Sequence, residues 1–238
     1  MVTSKTLPEA GLIHKKLAFD DPFVFENGGG IALHIQDPMR EALLSWEPKI
    51  EEFRREDFAV FALGTRYELL VRTLGEISAE VGTPLLGFSA MSDEEVAKAT
   101  RLPVEQAAKA RMRLFDEPFM LPEASPCLAA QIQAAATRRG LAVVKGGRFW
   151  HLIGHSGKEK GVSILLMGFR KRYGEVVSIG LGDSPNDFPF LQLVDIPVVL
   201  GKRLTAEPVL FPSERAQRYD VAGPKGWNQA VLDILATL

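Results

Sequence analysis

The segment at residues 180–187 constrains the fold of this chain more than any other. Its sequence is Gly-Leu-Gly-Asp-Ser-Pro-Asn-Asp, and it lies between an apolar stretch at 176–179 and another at 187–194. A strand, a glycine-containing turn and a helix in this order are typical of an open α/β sheet, which binds ligands at the carboxyl ends of its strands. The pattern therefore predicts that Asp183 lies at such an end.

The same turn concentrates oxygen atoms that could hold a cation. Ser184, Asn186 and Asp187 follow Asp183 within four residues. Because Mg²⁺ favours one or two carboxylates together with water and phosphate oxygens, we interpret Asp183, Asn186 and Asp187 as candidate Mg²⁺ ligands. The alternative is that these side chains only cap the following helix.

Hydrophobic periodicity predicts three stretches of different organisation along the chain. Helix 8–18 and the strands 23–25 and 31–35 come first, and α/β alternation returns with helix 158–169, strands 176–179 and 196–200, and helices 187–194 and 227–238. Between them, the pattern predicts strands at 58–63, 85–88 and 119–121, helices at 67–81, 92–100, 104–113 and 126–139, and a strand pair at 141–144 and 149–153. We expect an α/β core with a parallel sheet, formed by residues 1–40 and 155–238, interrupted by an α+β cap at 41–154.

The composition excludes several classes of protein. The 28 basic and 30 acidic residues are spread along the chain, with no basic block of the kind that binds nucleic acid. No apolar run reaches the ~20 residues that cross a bilayer, and the N-terminus lacks the apolar stretch of a signal peptide. The single cysteine, Cys127, is interpreted as a small apolar filler. We expect a cytoplasmic protein.

Two further segments could hold an anion. Residues 155–161 form the start of a predicted helix, where the positive end of the macrodipole disfavours the charge of a lysine. A bound phosphate would explain why Lys160 lies there. Residues 2–6 (Val-Thr-Ser-Lys-Thr) place hydroxyls and amides before a helix, which is a natural anion site. The alternatives are a solvated lysine and an ordinary N-cap.

In this order, and with a large insertion between the first two, these segments resemble those of the haloacid-dehalogenase superfamily of phosphatases with a type-II cap. Within the superfamily, the chain is most similar to the mannosyl-3-phosphoglycerate phosphatase family. The resemblance extends over essentially all 238 residues. Its most specific segments are residues 3–6 (Thr-Ser-Lys-Thr), 25–29 (Phe-Glu-Asn-Gly-Gly), 147–151 (Gly-Arg-Phe-Trp-His), 158–161 (Lys-Glu-Lys-Gly), 180–187 and 223–227 (Gly-Pro-Lys-Gly-Trp).

The resemblance implies a Rossmann-like core, a role for each segment and a small phosphorylated sugar as substrate. It implies that Thr3 hydrogen-bonds the phosphoryl group, that Lys160 neutralises it, and that Asp183 binds Mg²⁺ while Asp187 and Asn186 hold its waters. We expect a monomer or a homodimer. The residues expected to line the substrate site are Ser4, Lys5, Glu26, Asn27, Gly28 and Arg148.

The chain departs from the superfamily at one motif. The resemblance leads us to expect the motif Asp-x-Asp-Gly-Thr at the end of a first strand, with its first Asp as the nucleophile and its second as the general acid and base. No such segment occurs in the 238 residues. Two explanations stay open: a start upstream of Met1, so that the 238 residues contain the core without its first strand, or an inactive relative that only binds ligand. A phosphatase of another small sugar phosphate and an α/β protein without a metal site are further alternatives.

Overall fold

The structure is a computed structural model that describes residues 1–46, 50–121, 125–202 and 214–237. The chain divides into two compact units, Met1–Gly157 and Lys158–Leu238. No helix in these described ranges is long and apolar enough to cross a membrane.

The first unit contains helices and two antiparallel sheets. Its elements are α1 (Leu7–Leu17), β1 (Phe23–Phe25), β2 (Gly30–His34), α2 (Met39–Trp46), β3 (Glu51–Arg55), β4 (Phe58–Ala62), α3 (Tyr67–Val81), β5 (Leu86–Gly87), α4 (Asp93–Thr100), α5 (Val104–Arg111), β6 (Asp116–Met120), α6 (Pro126–Arg138), β7 (Ala142–Lys145) and β8 (Trp150–Ile153).

The first sheet has the strand order β1-β2-β4-β3, with every neighbouring pair antiparallel. One face is buried under α1, where Leu7 and Ala10 pack against Phe23, Phe25 and Val60. Val2 forms a parallel bridge with Val24, which places the N-terminal segment alongside β1. This sheet therefore positions residues 3–6.

The second sheet, of order β5-β6-β8-β7, is also antiparallel. Helices α3 and α6 cover it, and their apolar residues Leu70, Ile77 and Ile132 are almost fully buried against Phe119 and Leu152. Helices packed on one face of an antiparallel sheet define an α+β unit. This confirms the α+β character expected of the inserted stretch.

The second unit is a small α/β fold. Its elements are α7 (Lys158–Tyr173), β9 (Ile179–Gly182), α8 (Phe188–Leu191), β10 (Ile196–Leu200), β11 (Gln217–Tyr219) and α9 (Gly223–Leu235). The sheet has the order β11-β10-β9 and is parallel throughout. Val198 and Leu200 are buried against Ala230 and Ile234 of α9. The predicted parallel-sheet α/β character is confirmed.

Several element boundaries differ from those predicted. The strand expected at 176–179 is β9, three residues further on, because Ser178 bonds instead to the carboxylate of Asp195 through its amide and its hydroxyl (2.9 and 2.6 Å). Strand β3, helix α2 and strand β11 were not predicted. The helix predicted at 227–238 begins earlier, at Gly223, and residue 238 lies outside the described residues.

The division into a core and a cap stays a prediction, but one of its boundaries needs adjustment. The predicted boundary between residues 40 and 41 falls inside the first sheet, because β2 and β4 pair across it from Gly30↔Ala62 to His34↔Phe58. We propose that the inserted stretch begins after β4 instead.

Two capping boxes allow the stability of the first unit to be tested. Thr6 and Ser92 both accept from the amide three residues on, but the fully buried Thr6 also donates to the carbonyl of Lys109 in α5 (2.9 Å). We expect Thr6→Ala to lower the free energy of unfolding by about 2 kcal/mol and the matched Ser92→Ala by about 1 kcal/mol. Urea unfolding followed by circular dichroism measures both; equal losses would contradict a contribution from the contact with α5.

Candidate active site

Thr3 is held at the edge of the first sheet by its backbone. Its amide donates to the carbonyl of Val24 (2.9 Å), and its carbonyl accepts from the amide of Asn27 (3.1 Å). The Thr3 hydroxyl oxygen accepts from the amide of Lys5 (3.1 Å). The predicted phosphate-binding segment and the loop at residues 26–28 therefore lie side by side.

The loop at 26–28 has an unusual backbone. The backbone φ values of Glu26, Asn27 and Gly28 are 45°, 54° and 92°. These values lie in the left-handed region, which residues other than glycine seldom adopt. The Glu26 carboxylate accepts hydrogen bonds from the amides of Leu114 and Phe115, the latter at 2.6 Å. These bonds from the two residues just before β6 hold the strained loop in place.

Glu26 has no exposed surface. Burial raises the pKa of its carboxyl group from an ordinary 4.5 to about 8, although the Arg113 guanidinium and the two backbone hydrogen bonds oppose the shift. Its oxygens point to backbone amides in this structure, so the predicted contact between Glu26 and substrate stays a prediction. The structure gives Glu26 the additional task of joining the loop to β6.

The raised pKa predicts a pH dependence of stability. The folded state keeps the Glu26 proton up to about pH 8, whereas the unfolded chain releases it near 4.5. The stabilisation is therefore complete below about pH 4.5 and is lost as the pH rises towards 8. Over this window we expect the free energy of unfolding to fall by up to about 1.4 kcal/mol per pH unit relative to Glu26→Gln.

Urea titrations of both proteins at a series of pH values between about 5 and 9 measure this difference, since a single proton changes its binding over that range. The Glu26→Gln protein serves as the matched control, because its side chain has a similar shape and no proton to release. Parallel curves for the two proteins would contradict the shift.

A second buried carboxylate, that of Asp116, lies beside the loop. It accepts from Asn27 Nδ2 (2.8 Å) and Arg113 Nη1 (3.4 Å), and both of its oxygens lie 2.9 Å from His151 Nδ1. Burial alone would raise the pKa of Asp116, but the neighbouring His151 and Arg113, and the hydrogen bond from Asn27, hold it below its ordinary value. Asp116 thus connects the predicted residue Asn27 to β8.

A cavity of about 420 Å³ in the first unit brings together three of the predicted substrate residues. Ser4, Lys5 and Arg148 all line it, although the first two are far from the third in the sequence. Arg113 and His151 line it as well. Sequence reasoning gave no role to these two or to Asp116, although His151 ends one of the segments that carry the resemblance. The signal that could have found Asp116 is an acidic pair inside an apolar strand, since a buried carboxylate needs partners.

The charge of the cavity suits an anion. Lys5, Arg113 and Arg148 contribute cationic groups, and Glu9, which also lines the cavity, pairs with Lys5 at 3.2 Å. Arg148 is exposed and donates to the carbonyl of Thr100 through Nη1. A guanidinium in such a place can bind a carboxylate or phosphate through paired hydrogen bonds.

The predicted metal residues lie in the second unit, in the turn that follows β9. Asp183 comes directly after the strand and is exposed, as the prediction of a strand-end carboxylate requires. Asp187 is nearly buried: Oδ1 accepts from Lys158 Nζ (2.7 Å), and Oδ2 accepts from the amides of Asp183 (3.2 Å) and Ser184 (3.1 Å). Asp187 therefore shapes the turn, in a capping box with Ser184.

Gly182 is required for close packing against Asp187 rather than for the turn itself. It ends β9, and a Cβ at this position would lie 2.5 Å from the Cβ of Asp187. Glycine is needed because Asp187 packs directly against the backbone. This close approach brings the Asp187 carboxylate within reach of the amides at 183 and 184.

The turn fits a Mg²⁺ ion that keeps several waters. It offers one accessible carboxylate, Asp183, beside Asp187 and Asn186, whereas no cluster of three or more His, Cys, Asp or Glu exists among the described residues. Mg²⁺ is usually held by one or two carboxylates, with waters and phosphate oxygens completing the shell. Because both Asp187 oxygens are engaged, Asp183 suits direct contact and Asp187 suits a contact through water.

Lys160 is exposed in the first turn of α7. In this structure the lysine that meets Asp187 is Lys158, two residues earlier. Sequence reasoning singled out Lys160 and missed this ion pair, because two lysines in one helical turn cannot be distinguished without the position of their partner. The phosphate contact of Lys160 stays a prediction.

The structure was compared with solved structures, and the sequence with protein-family models. No protein-family model matches the chain. A haloacid dehalogenase-like hydrolase of Bacteroides thetaiotaomicron has a similar structure, with a TM-score of 0.56, 14% identity, and coverage of 97% of this chain and 84% of the other. The chain thus has a fold similar to that of a haloacid dehalogenase-like hydrolase.

Sequence relatives narrow this class. A glucosyl-3-phosphoglycerate/mannosyl-3-phosphoglycerate phosphatase of Methanococcoides burtonii is 34% identical over 98% of this chain and 83% of its own length. A protein of the same name from Persephonella marina is 34% identical over 99% of this chain and 83% of its length. The chain belongs to the mannosyl-3-phosphoglycerate phosphatase family, which confirms the resemblance found in its motifs.

The two aspartates of the turn should respond differently to substitution. Asp187→Ala leaves Lys158 without its carboxylate and two amides without an acceptor, so we expect a loss of about 2–3 kcal/mol in stability without metal. Asp183→Ala should change stability by less than about 0.5 kcal/mol but abolish the rise in melting temperature that Mg²⁺ causes. Thermal unfolding with and without Mg²⁺ measures both, and an undiminished Mg²⁺ effect in Asp183→Ala would contradict the metal assignment.

Proposed function

We propose that this chain carries the substrate-binding and metal-binding parts of a Mg²⁺-dependent phosphomonoester hydrolase. Its reaction is the conversion of mannosyl-3-phosphoglycerate, or the glucosyl analogue, to the glycosylglycerate and phosphate. The observation that carries the proposal is the match of nearly the whole chain to relatives named for this activity. The cationic cavity of the first unit supports it, since the substrate bears both a phosphate and a carboxylate.

The predicted residues take the following roles. The Thr3 hydroxyl donates to a phosphoryl oxygen, and the Lys160 ammonium offsets its negative charge. Asp183 holds Mg²⁺ directly, with Asn186 and Asp187 holding its waters; the bound ion supplies further positive charge to the phosphate. The residues that bind and orient the rest of the substrate are Ser4, Lys5, Glu26, Asn27, Gly28 and Arg148.

No residue of this chain is assigned the nucleophilic step. The Asp-x-Asp-Gly-Thr motif expected from the superfamily does not occur in the 238 residues. A second candidate function, a sugar-phosphate-binding protein without turnover, therefore stays open beside the first. The cytoplasmic location and the monomeric or homodimeric state stay predictions.

Phosphate release from both glycosyl-3-phosphoglycerates tests the proposal. The protein should be produced as its gene encodes it, with any in-frame codons upstream of Met1 included. We expect Mg²⁺-dependent turnover. Saturable binding of the substrates by calorimetry, with no phosphate released under any metal condition, would replace the proposed function with the second candidate.

Lys160 provides a variant for the same assay. Removing one group that stabilises charge on the reacting phosphate costs roughly a hundredfold in turnover, so Lys160→Ala should lower kcat by about that factor. The matched control is Lys171→Ala, an exposed lysine near the other end of α7. Equal activity of the two variants would contradict the role of Lys160.

A further inference from the structure

The pair formed by Asp116 and His151 has no role in the function proposed above. Asp116 has no exposed side-chain surface, whereas His151 retains 12% and lines the cavity. The two residues lie on neighbouring strands, with Asp116 in β6 and His151 in β8. A buried hydrogen-bonded pair of titratable side chains at the edge of a cavity is a natural place to look for a contact with the ligand.

The pairing determines which nitrogen of His151 remains for the cavity. Nδ1 lies 2.9 Å from both oxygens of Asp116 and donates its proton to that carboxylate. Such a partner fixes the orientation and the tautomer of an imidazole ring, as a carboxylate does for a metal-bound histidine. Nε2 is then the ring nitrogen that can meet a bound molecule.

The structure also keeps space beside Nε2. A Cβ at Gly146, in the turn between β7 and β8, would lie 2.7 Å from Nε2 and 3.1 Å from Cδ2 of the same ring. Gly146 does not have a left-handed φ, so its backbone does not require glycine. A methyl group there would push the ring away from its present position. The Asp116 carboxylate on the Nδ1 side and Gly146 on the Nε2 side therefore favour one orientation of the His151 ring.

The groups around His151 identify the chemistry of the ligand. Arg113, whose side chain is 7% exposed, donates to Asp116 and to the carbonyl of Ser4 (3.0 Å), and it lines the cavity beside His151. Arg148 adds a second guanidinium to the same cavity. Two guanidinium groups and an imidazole around one cavity suit a carboxylate flanked by a hydroxyl group.

We propose that His151 is a substrate-binding residue of this cavity and that Asp116 is a positioning residue that acts through it. Together with Arg113 and Arg148, they form a subsite for the carboxylate end of the substrate, the glycerate moiety. This inference rests on the proposed function, because that function supplies the glycerate. The alternative is that the pair only joins β6 to β8, in which case neither residue would respond to ligand.

The test uses histidine-labelled protein and a probe that requires no turnover. The chain has four histidines, and His151→Gln identifies the ring signals of His151 in a nuclear magnetic resonance spectrum. D-glycerate should shift these signals in a saturable way, whereas glycerol, which has the same carbon skeleton without the carboxylate, should not. Unmoved His151 signals, or equal responses to both probes, would overturn the proposal.

Two variants separate positioning from structure. Asp116→Asn, and independently Gly146→Ala, should weaken glycerate binding by at least about tenfold, the loss of roughly one hydrogen bond to a charged group. The second variant removes no polar group, and it keeps the test available if Asp116→Asn fails to fold. His34→Gln, on the exposed end of β2, and Gly75→Ala, where an added Cβ meets nothing within 4 Å, are the matched controls.

Kinetics then distinguish this inference from the proposed function. With the glycosyl-3-phosphoglycerate as substrate, His151→Gln should raise KM by about tenfold and leave kcat within a factor of about two, as expected when a binding contact away from the reacting bond is lost. Turnover with an unresponsive His151 would overturn the subsite alone. A glycerate-responsive His151 without any turnover would overturn the phosphatase and leave the carboxylate subsite in place.

Discussion

The hydrogen-bonded pair of Asp116 and His151 is the interaction on which the arrangement of the cavity depends. A carboxylate without exposed surface is stable in its charged form only when donors or cations surround it. Asp116 has three such partners, and each comes from a different part of the first unit: Asn27 from the loop, Arg113 from the segment before β6, and His151 from β8. Because all three side chains contact the same carboxylate, their positions relative to one another are fixed.

The loop at 26–28 illustrates how strain is maintained by distant contacts. Its left-handed backbone would relax in an isolated peptide, since two of its residues carry a Cβ. Glu26 accepts from the amides of Leu114 and Phe115, and Asn27 donates to Asp116. Residues 114–116, at and just before the start of β6, therefore hold two residues of the loop, and the loop in turn contacts Thr3 through the amide of Asn27.

Sequence patterns predicted the regular elements well and the contacts poorly. Helices α3 and α4 were predicted because hydrophobic periodicity is a local property of the sequence. Strand β3 was missed because its residues are mostly exposed and charged, so that its pairing with β4 is visible only in three dimensions. Motifs similarly indicated Ser4, Lys5 and Arg148, which meet in one cavity, but not His151, whose meaning depends on a partner 35 positions away.

The sequence separation of the cavity-forming contacts has a consequence for biosynthesis. Thr6 bonds to Lys109, and Arg113 to Ser4, at separations of 103 and 109 residues, and the last contributor to the wall is His151. Closing loops of this length costs entropy that only the completed sheets repay. A nascent chain on the ribosome can thus form α1 early, but it gains the ability to recognise a ligand in this cavity only after β8 has been synthesised and paired.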